Sequence, residues 1–186
     1  MTTIDYRNKH LDQPKIYWTQ INHHPWQFYI AASSNGLCYI GSQGQPFAEM
    51  ETWIQNRRTE SVLVEDQQKL EPYTEQLIQY LQGERQQFTI AHDFQGTPFQ
   101  LQVWQALLQI PYGQTWSYSD IAQHIGRPAA VRAVGAAIGA NPFLITIPCH
   151  RVIGKGGALT GYRGGLDMKT TLLDLEKALL PAGKTL

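Results

Sequence analysis

Hydrophobic rhythm changes once along this chain, across residues 92–97, where Asp93 and Gly96 interrupt it and separate an α/β half from a helical half. Upstream, residues 26–32 and 37–41 are apolar and rich in β-formers around the turn signal Ser33-Ser34-Asn35-Gly36, which predicts a hairpin. Helical patterns over 46–58 and 72–82 follow, and 87–91 is strand-like. Downstream, Phe99, Val103, Ala106, Leu107 and Ile110 recur at helical spacing opposite Gln102, Gln105 and Gln109, so a helix is expected over 98–110, stopped by Pro111-Tyr112-Gly113. Ser117 is a candidate N-cap for a second helix reaching about His124; Gly126 breaks it and Pro128 starts a third. Two short helices around a glycine-containing turn form a helix-turn-helix pattern, which many helical domains carry without touching DNA. Two domains are expected, 1–93 and 94–186.

With 186 residues, 42% hydrophobic and 16% charged, the chain can bury a real core. It holds no run of 18 apolar residues and residues 1–11 are polar, so neither a membrane span nor a secretory signal is indicated and a cytoplasmic location is expected. The net charge of zero conceals an asymmetry: residues 1–93 carry 7 basic against 11 acidic side chains, residues 94–186 carry 8 against 4. A modest basic excess in the second half hints at a polyanionic partner.

One of the two cysteines, Cys149, lies in Ile147-Pro148-Cys149-His150-Arg151-Val152. A lone cysteine is more often a buried, inert one. The thiolate is the nucleophile, and an unperturbed thiol is only about 3% ionised at pH 7, so a working cysteine needs a base or a positive charge beside it. His150 and Arg151 supply both residue types. The C-terminal helix, expected over 167–180, has an apolar face marked by Leu172, Leu173, Leu179 and Leu180, and Lys169 and Glu176 fall on that face. A carboxylate so placed needs partners unless it lies at the rim, and His150 is the natural one, giving a Glu–His–Cys relay. The helix over 128–140 has one long side chain, Arg132, among small residues. Such a helix packs closely either on protein or on a nucleic-acid backbone, with the arginine reaching between bases.

The C-terminal half resembles the O6-alkylguanine-DNA alkyltransferase (methylated-DNA–protein-cysteine methyltransferase) family. The likeness spans about residues 95–180 and is carried by Val103-Trp104, Ile110-Pro111-Tyr112-Gly113, Ser117-Tyr118, Ile121-Ala122, Arg132-Ala133-Val134-Gly135, Asn141-Pro142, the segment 147–152, Gly161-Tyr162-Arg163-Gly164-Gly165 and Lys169. The N-terminal half is similar to the ribonuclease-H-like α/β domain these proteins carry, and the C-terminal half to their mainly helical, winged-helix-like domain with a helix-turn-helix.

The resemblance implies direct repair of O6-alkylguanine, and of O4-alkylthymine, by irreversible transfer of the alkyl group to Cys149. His150 would act through a water as the base, since neighbouring side chains diverge, with Glu176 orienting it. Tyr118 would bond the guanine ring nitrogen and supply a proton, and Lys169 would handle charge nearby. The target base must be flipped out of the duplex. Arg132 would fill the gap from the minor groove, with Ala133 and Ala136 lying in that narrow groove. Asn141 and Arg151 complete the implied DNA-binding set, Asn141 also tying the helix-turn-helix to the active-site segment. Pocket walls would come from Ile138, Tyr162, Val152 and Arg163, and the long Arg163 side chain would bear on which bulky alkyl groups fit. Double-stranded DNA is the expected partner of a chain that is monomeric without it. No cofactor or metal is expected: Cys38 with His10, His23, His24 and His92 matches no standard zinc spacing, and Cys38 reads as core. Two rivals are a non-catalytic lesion-binding relative, which would lack Cys149, and a cysteine hydrolase, which would use a distant histidine and turn over.

Overall fold

The computed structural model describes residues 13–179. Four strands, β1 (Lys15–His23), β2 (Trp26–Ser33), β3 (Gly36–Ile40) and β4 (Val62–Glu65), form a sheet of order β3-β2-β1-β4. β1–β2 and β2–β3 pair antiparallel, and β1–β4 pair parallel. The β2–β3 hairpin is the expected one. β1 and β4 carry no clear alternation in the sequence: β1 is an interior strand, while β4 spans only four residues. The strand expected over 87–91 is absent: the one bridge nearby falls just after it, His92 beside Leu37, with Leu37 N–H donating to Ala91 O at 2.9 Å.

Helix α1 (Phe47–Arg57) covers one face of the sheet, burying Met50 and Ile54 against Ile16, Ala31, Cys38 and Tyr39. Helix α2 (Gln67–Leu81) covers the other with Leu70, Leu77, Tyr80 and Leu81. It starts five residues before the expected Pro72, because Asp66 is the true N-cap, accepting from Lys69 N–H at 2.9 Å.

The helical half follows with α3 (Pro98–Leu107), β5 (Trp116–Ser117), α4 (Tyr118–His124), α5 (Val131–Gly139), β6 (Val152–Ile153) and α6 (Leu166–Ala178). Capping boxes open two of these helices, Thr97 with Gln100 at α3 and Ser117 with Asp120 at α4. Pro128–Ala130 form a 3-10 turn ahead of α5, so the third helix begins later than its proline. α4 and α5 pack together, and Trp104 of α3 donates its indole N–H to Ala137 O of α5 at 2.8 Å. α6 ends at Ala178, leaving Leu179 exposed rather than on the apolar face; Leu180 and His10 lie outside the described residues.

The two halves share one core. Phe143 packs edge-on against His92, Phe94 and Trp104, with centroids 5.1, 5.1 and 6.1 Å away. Beside it, Ile40 N–H donates to Pro142 O at 2.8 Å, so the free edge of β3 seats the segment before Cys149. Phe143→Ala should therefore cost about 3 to 5 kcal/mol, read as a lowered urea midpoint at unchanged m. A loss under about 1 kcal/mol would show that this junction adds little to folding.

Candidate active site

Residues 141–152 are buried throughout, although only a 3-10 turn, Cys149–Arg151, and the start of β6 are regular. A buried irregular segment must find partners for its backbone. Asn141 supplies several: its Oδ1 accepts from Phe143 N–H at 3.0 Å, and its Nδ2 donates to Ile147 O and to Cys149 Sγ, each at 3.0 Å. Ile145 sits at φ 72°, a left-handed conformation that is costly for a β-branched residue. Flanking bonds from Thr146 N–H to Leu144 O and Ile147 N–H to Phe143 O, at 2.9 and 3.0 Å, hold it there.

Glu176 is fully buried on α6, as is Lys169. Glu176 Oε1 accepts from His150 Nε2 at 2.9 Å, and Oε2 accepts from Gly113 N–H at 2.8 Å. Arg151 grips the same carboxylate through Nε and NH2 at 2.8 to 3.1 Å and gives NH1 to Ile110 O at 2.7 Å. Arg151 is thus a structural counter-ion within the site, not the DNA contact expected of it. An uncompensated buried carboxylate would be costly, and Arg151 is committed to offsetting that charge.

Protonation states follow from these contacts. Hydrogen bonds from His150 and Arg151, with the Arg151 charge, outweigh burial and hold the Glu176 carboxyl down at about 2. Burial lowers His150 despite Glu176, so the ring is neutral. With Nε2 facing a carboxylate, the proton sits on Nε2 and Nδ1 is a bare acceptor, buried without a protein partner among the described residues. Burial pushes the Cys149 thiol up, against Asn141, Arg163 and Lys169, which pull it down. The resting sulfur is a thiol, and the next residue in the chain carries a free base.

Lys169 Nζ donates to Val152 O and, at 2.8 Å, to Thr160 O, so it pins the strand after Cys149 to the loop before Tyr162. Burial lowers its pKa and Cys149 raises it. Tyr118 is half-buried, its hydroxyl 3.4 Å from Thr160 O and Gly161 O. Ile138 and Val152 are buried, and Tyr162 stands edge-on to His150 with a buried hydroxyl that has no hydrogen-bond partner among the described residues. Gly164 must be glycine for these neighbours: a Cβ there would come within 2.5 Å of Tyr162 and 2.6 Å of Met168.

Arg163 departs from expectation. Its side chain turns toward the N-terminal half, donating to Asn141 O at 3.1 Å, Ile40 O, Tyr39 Oη and Glu49 Oε1 at 3.3 Å, so it clamps the Asn141–Pro142 turn to β3. Asn141 is fully buried as well, and its side chain serves the Cys149 segment rather than DNA. Arg132, Ala133 and Ala136 are exposed together on α5, opposite buried Val134, Ala137 and Ile138. A cleft of about 570 Å³ opens on the other side of the segment, lined by Phe88, His92, Tyr112, Thr146, Pro148 and Arg151 among others; it touches none of Tyr118, Ile138 or Tyr162. Cys38 is buried on β3, its S–H directed at Ala31 O, and burial pushes it up to about 12.

Residues 16–94 match the family model described as 6-O-methylguanine DNA methyltransferase, ribonuclease-like domain, and residues 98–178 match the DNA binding domain of the same methyltransferase. The inducible methylated-DNA–protein-cysteine methyltransferase of Bacillus subtilis is 60% identical over 166 residues, which covers 89% of this chain and 93% of that protein. The crystal structure of Mycobacterium tuberculosis O6-methylguanine methyltransferase superposes with a TM-score of 0.77 at 40% identity, covering 90% of this chain and 96% of that one. A crystal structure of the Mycobacterium tuberculosis protein in complex with DNA gives a TM-score of 0.74 at 39% identity, covering 89% and 96%. A ribonuclease-like α/β domain joined to a helical DNA-binding domain with a cysteine at its centre is the class these matches define. The chain belongs to the methylated-DNA–protein-cysteine methyltransferase family.

The buried titratable groups make stability depend on acid. Burial lowers His92 from 6.5 to about 4, and a histidine with a depressed folded value binds protons more readily when unfolded, so stability fades as pH falls from 6.5 toward 4. His150 shifts in the same direction. Glu176, depressed from 4.5 to about 2, contributes stability that is complete above 4.5 and lost between those values. Urea midpoints should fall in two stages, and His92→Gln should shrink the upper one; a constant midpoint from pH 7 to 5 would contradict this.

Proposed function

We propose that this protein repairs O6-alkylguanine, and O4-alkylthymine, in double-stranded DNA by moving the alkyl group irreversibly onto Cys149. The observation that carries the reading is a thiol held by Asn141 and followed in the chain by a neutral histidine whose Nε2 is fixed by Glu176. Burial keeps the sulfur protonated, so a base must take the proton as the reaction proceeds. In the proposed step a water carries the Cys149 proton to His150 Nδ1. The sulfur then bonds the alkyl carbon as the carbon–O6 bond breaks, and Tyr118 protonates the departing base at a ring nitrogen. Lys169 stabilises charge developing near the sulfur. Ile138, Tyr162, Val152 and the Arg163 backbone wall the pocket.

The alkyl carbon of a paired base is out of reach of a buried sulfur, so the nucleotide is proposed to flip out, with α5 in the minor groove and Arg132 filling the gap. Ala133 and Ala136 beside it allow close approach to the groove floor. The domain division proposed is 1–93 for the α/β part and 94–186 for the chemical and DNA-binding part. A thiol that must stay reduced suits a cytoplasmic protein, and one active site per chain needs no second copy.

The product is a thioether, which water does not cleave. Cys38, the other thiol, is buried in the core on the α1 side of the sheet. Excess methylated duplex should add one methyl group per chain by intact mass, located on the Cys149 peptide, while Cys149→Ser binds without reacting. More than one turnover per chain, or a methyl on Cys38, would defeat the mechanism. Arg132→Ala should slow repair of duplex lesions far more than reaction with free O6-benzylguanine, because only the duplex needs the flipped state stabilised. Equal losses on both substrates would reassign Arg132 to structure.

A further inference from the structure

Tyr80 lies on α2, in the N-terminal half, beside Leu77 and Leu81 on the buried face of that helix. Its ring packs against Phe88 and Tyr112, with centroids 5.2 and 6.0 Å away, and in this it resembles any core aromatic. The hydroxyl does not. It donates to Glu176 Oε1 at 2.5 Å and lies 3.3 Å from His150 Nε2. A buried phenol needs some hydrogen-bond acceptor, and a backbone carbonyl would suffice. Here the acceptor is the carboxylate oxygen that also takes His150 Nε2 at 2.9 Å, so the three groups close a triangle.

A carboxylate only accepts, so the Tyr80 O–H and the His150 Nε2–H both point at Oε1, and the phenol oxygen is a second acceptor beside Nε2–H. We propose that Tyr80 is a positioning residue for the alkyl transfer, supplied by the N-terminal domain: it fixes the Nε2-protonated form of His150 and draws charge from Glu176, leaving Nδ1 as the base toward Cys149. The proposal rests on the alkyl-transfer reading above. Tyr80 touches no reacting atom, and burial together with Glu176 keeps it a phenol, so it relays no proton itself.

The surrounding charges set the expected direction. Glu176 of α6 favours the imidazolium form of His150, whereas Arg151 and Lys169 oppose it. Cys149 precedes His150 in the chain and Tyr162 faces its ring. Around Tyr80 stand Glu176, Arg151 and Tyr112. By donating to Glu176, Tyr80 acts with the cations. Removing its hydroxyl leaves more carboxylate charge on His150, raises the histidine pKa and shifts the acid limb of the rate profile to higher pH.

The test is single-turnover benzyl transfer from free O6-benzylguanine, which needs no DNA, measured from pH 5 to 9 on the full chain with a thermal melt of each variant. Tyr80→Phe should react about tenfold slower at neutral pH, a part of what general-base catalysis supplies, with its acid limb about 0.5 to 1 pH unit higher. Tyr80→3-fluorotyrosine, a stronger donor of nearly the same shape, should move the acid limb the opposite way and covers the case in which Tyr80→Phe does not fold. A wild-type profile in these variants, or a uniform slowing with an unmoved acid limb, overturns the proposal. An inert wild-type protein would instead overturn the alkyl-transfer reading, so the two failures are distinct.

Discussion

Everything near Cys149 depends on satisfying the backbone of a buried segment that is neither helix nor strand for most of its length. Residues 141–152 have no ladder of their own, so their polar groups are met by side chains from elsewhere. Asn141 bonds three points along the segment, Arg163 takes Asn141 O and Pro142 O, and Lys169 takes Val152 O. The free edge of β3 completes the set through Ile40. Lys169 is buried with carbonyl dipoles rather than a carboxylate as its acceptors, and the part-buried Arg163 likewise gives most of its donors to carbonyls. The strained Ile145 is held within the same net.

A second consequence is electrostatic. Glu176 takes donors from Tyr80, Gly113, His150 and Arg151, so its charge is spread over four groups from three separate parts of the chain. Removing one partner of such a buried pair typically costs about 3 to 5 kcal/mol, because the charge left behind has no solvent. Burial, helped by the charges of Arg151 and Lys169, keeps His150 neutral against Glu176. The resting site thus holds a thiol, a neutral histidine and an ionised glutamate.

Much of the fold was legible because its signals are local. The β2–β3 hairpin, the Ser117 cap and the small-residue helix with Arg132 can each be read within a dozen residues. Glu176 was legible because it interrupts an apolar face and a carboxylate there demands a donor, and His150 proved to be one. Arg151 and Arg163 were misread for the opposite reason. Arginines in a motif-rich stretch suggest a polyanion or a pocket rim, whereas their acceptors, Ile110 O and Ile40 O, are far away in sequence. Tyr80 was missed because Leu77, Tyr80 and Leu81 form an ordinary apolar stripe; the overlooked signal was a phenol on a fully buried face, which must find an acceptor. Strand β1 escaped notice because its aromatic residues point to both faces of the sheet, Tyr17 to one core and Trp18 to the other.

Helix α5 joins the two tasks proposed for this protein. Its outer face carries Arg132, Ala133 and Ala136, its inner face is anchored by Val134, Ala137 and Ile138, and Asn141 follows shortly after it. The amide that contacts the Cys149 sulfur is therefore attached to the helix proposed to enter the groove. Only Ala140 separates α5 from Asn141, so the helix and the thiol are joined by a short, densely packed connection. Arg163 holds the Asn141 carbonyl to β3. The N-terminal domain thus meets the site at two points, where Ile40 O, Tyr39 and Glu49 receive Arg163 and where Tyr80 meets Glu176 and His150, while the outer face of α5 proposed to meet DNA belongs to the C-terminal half.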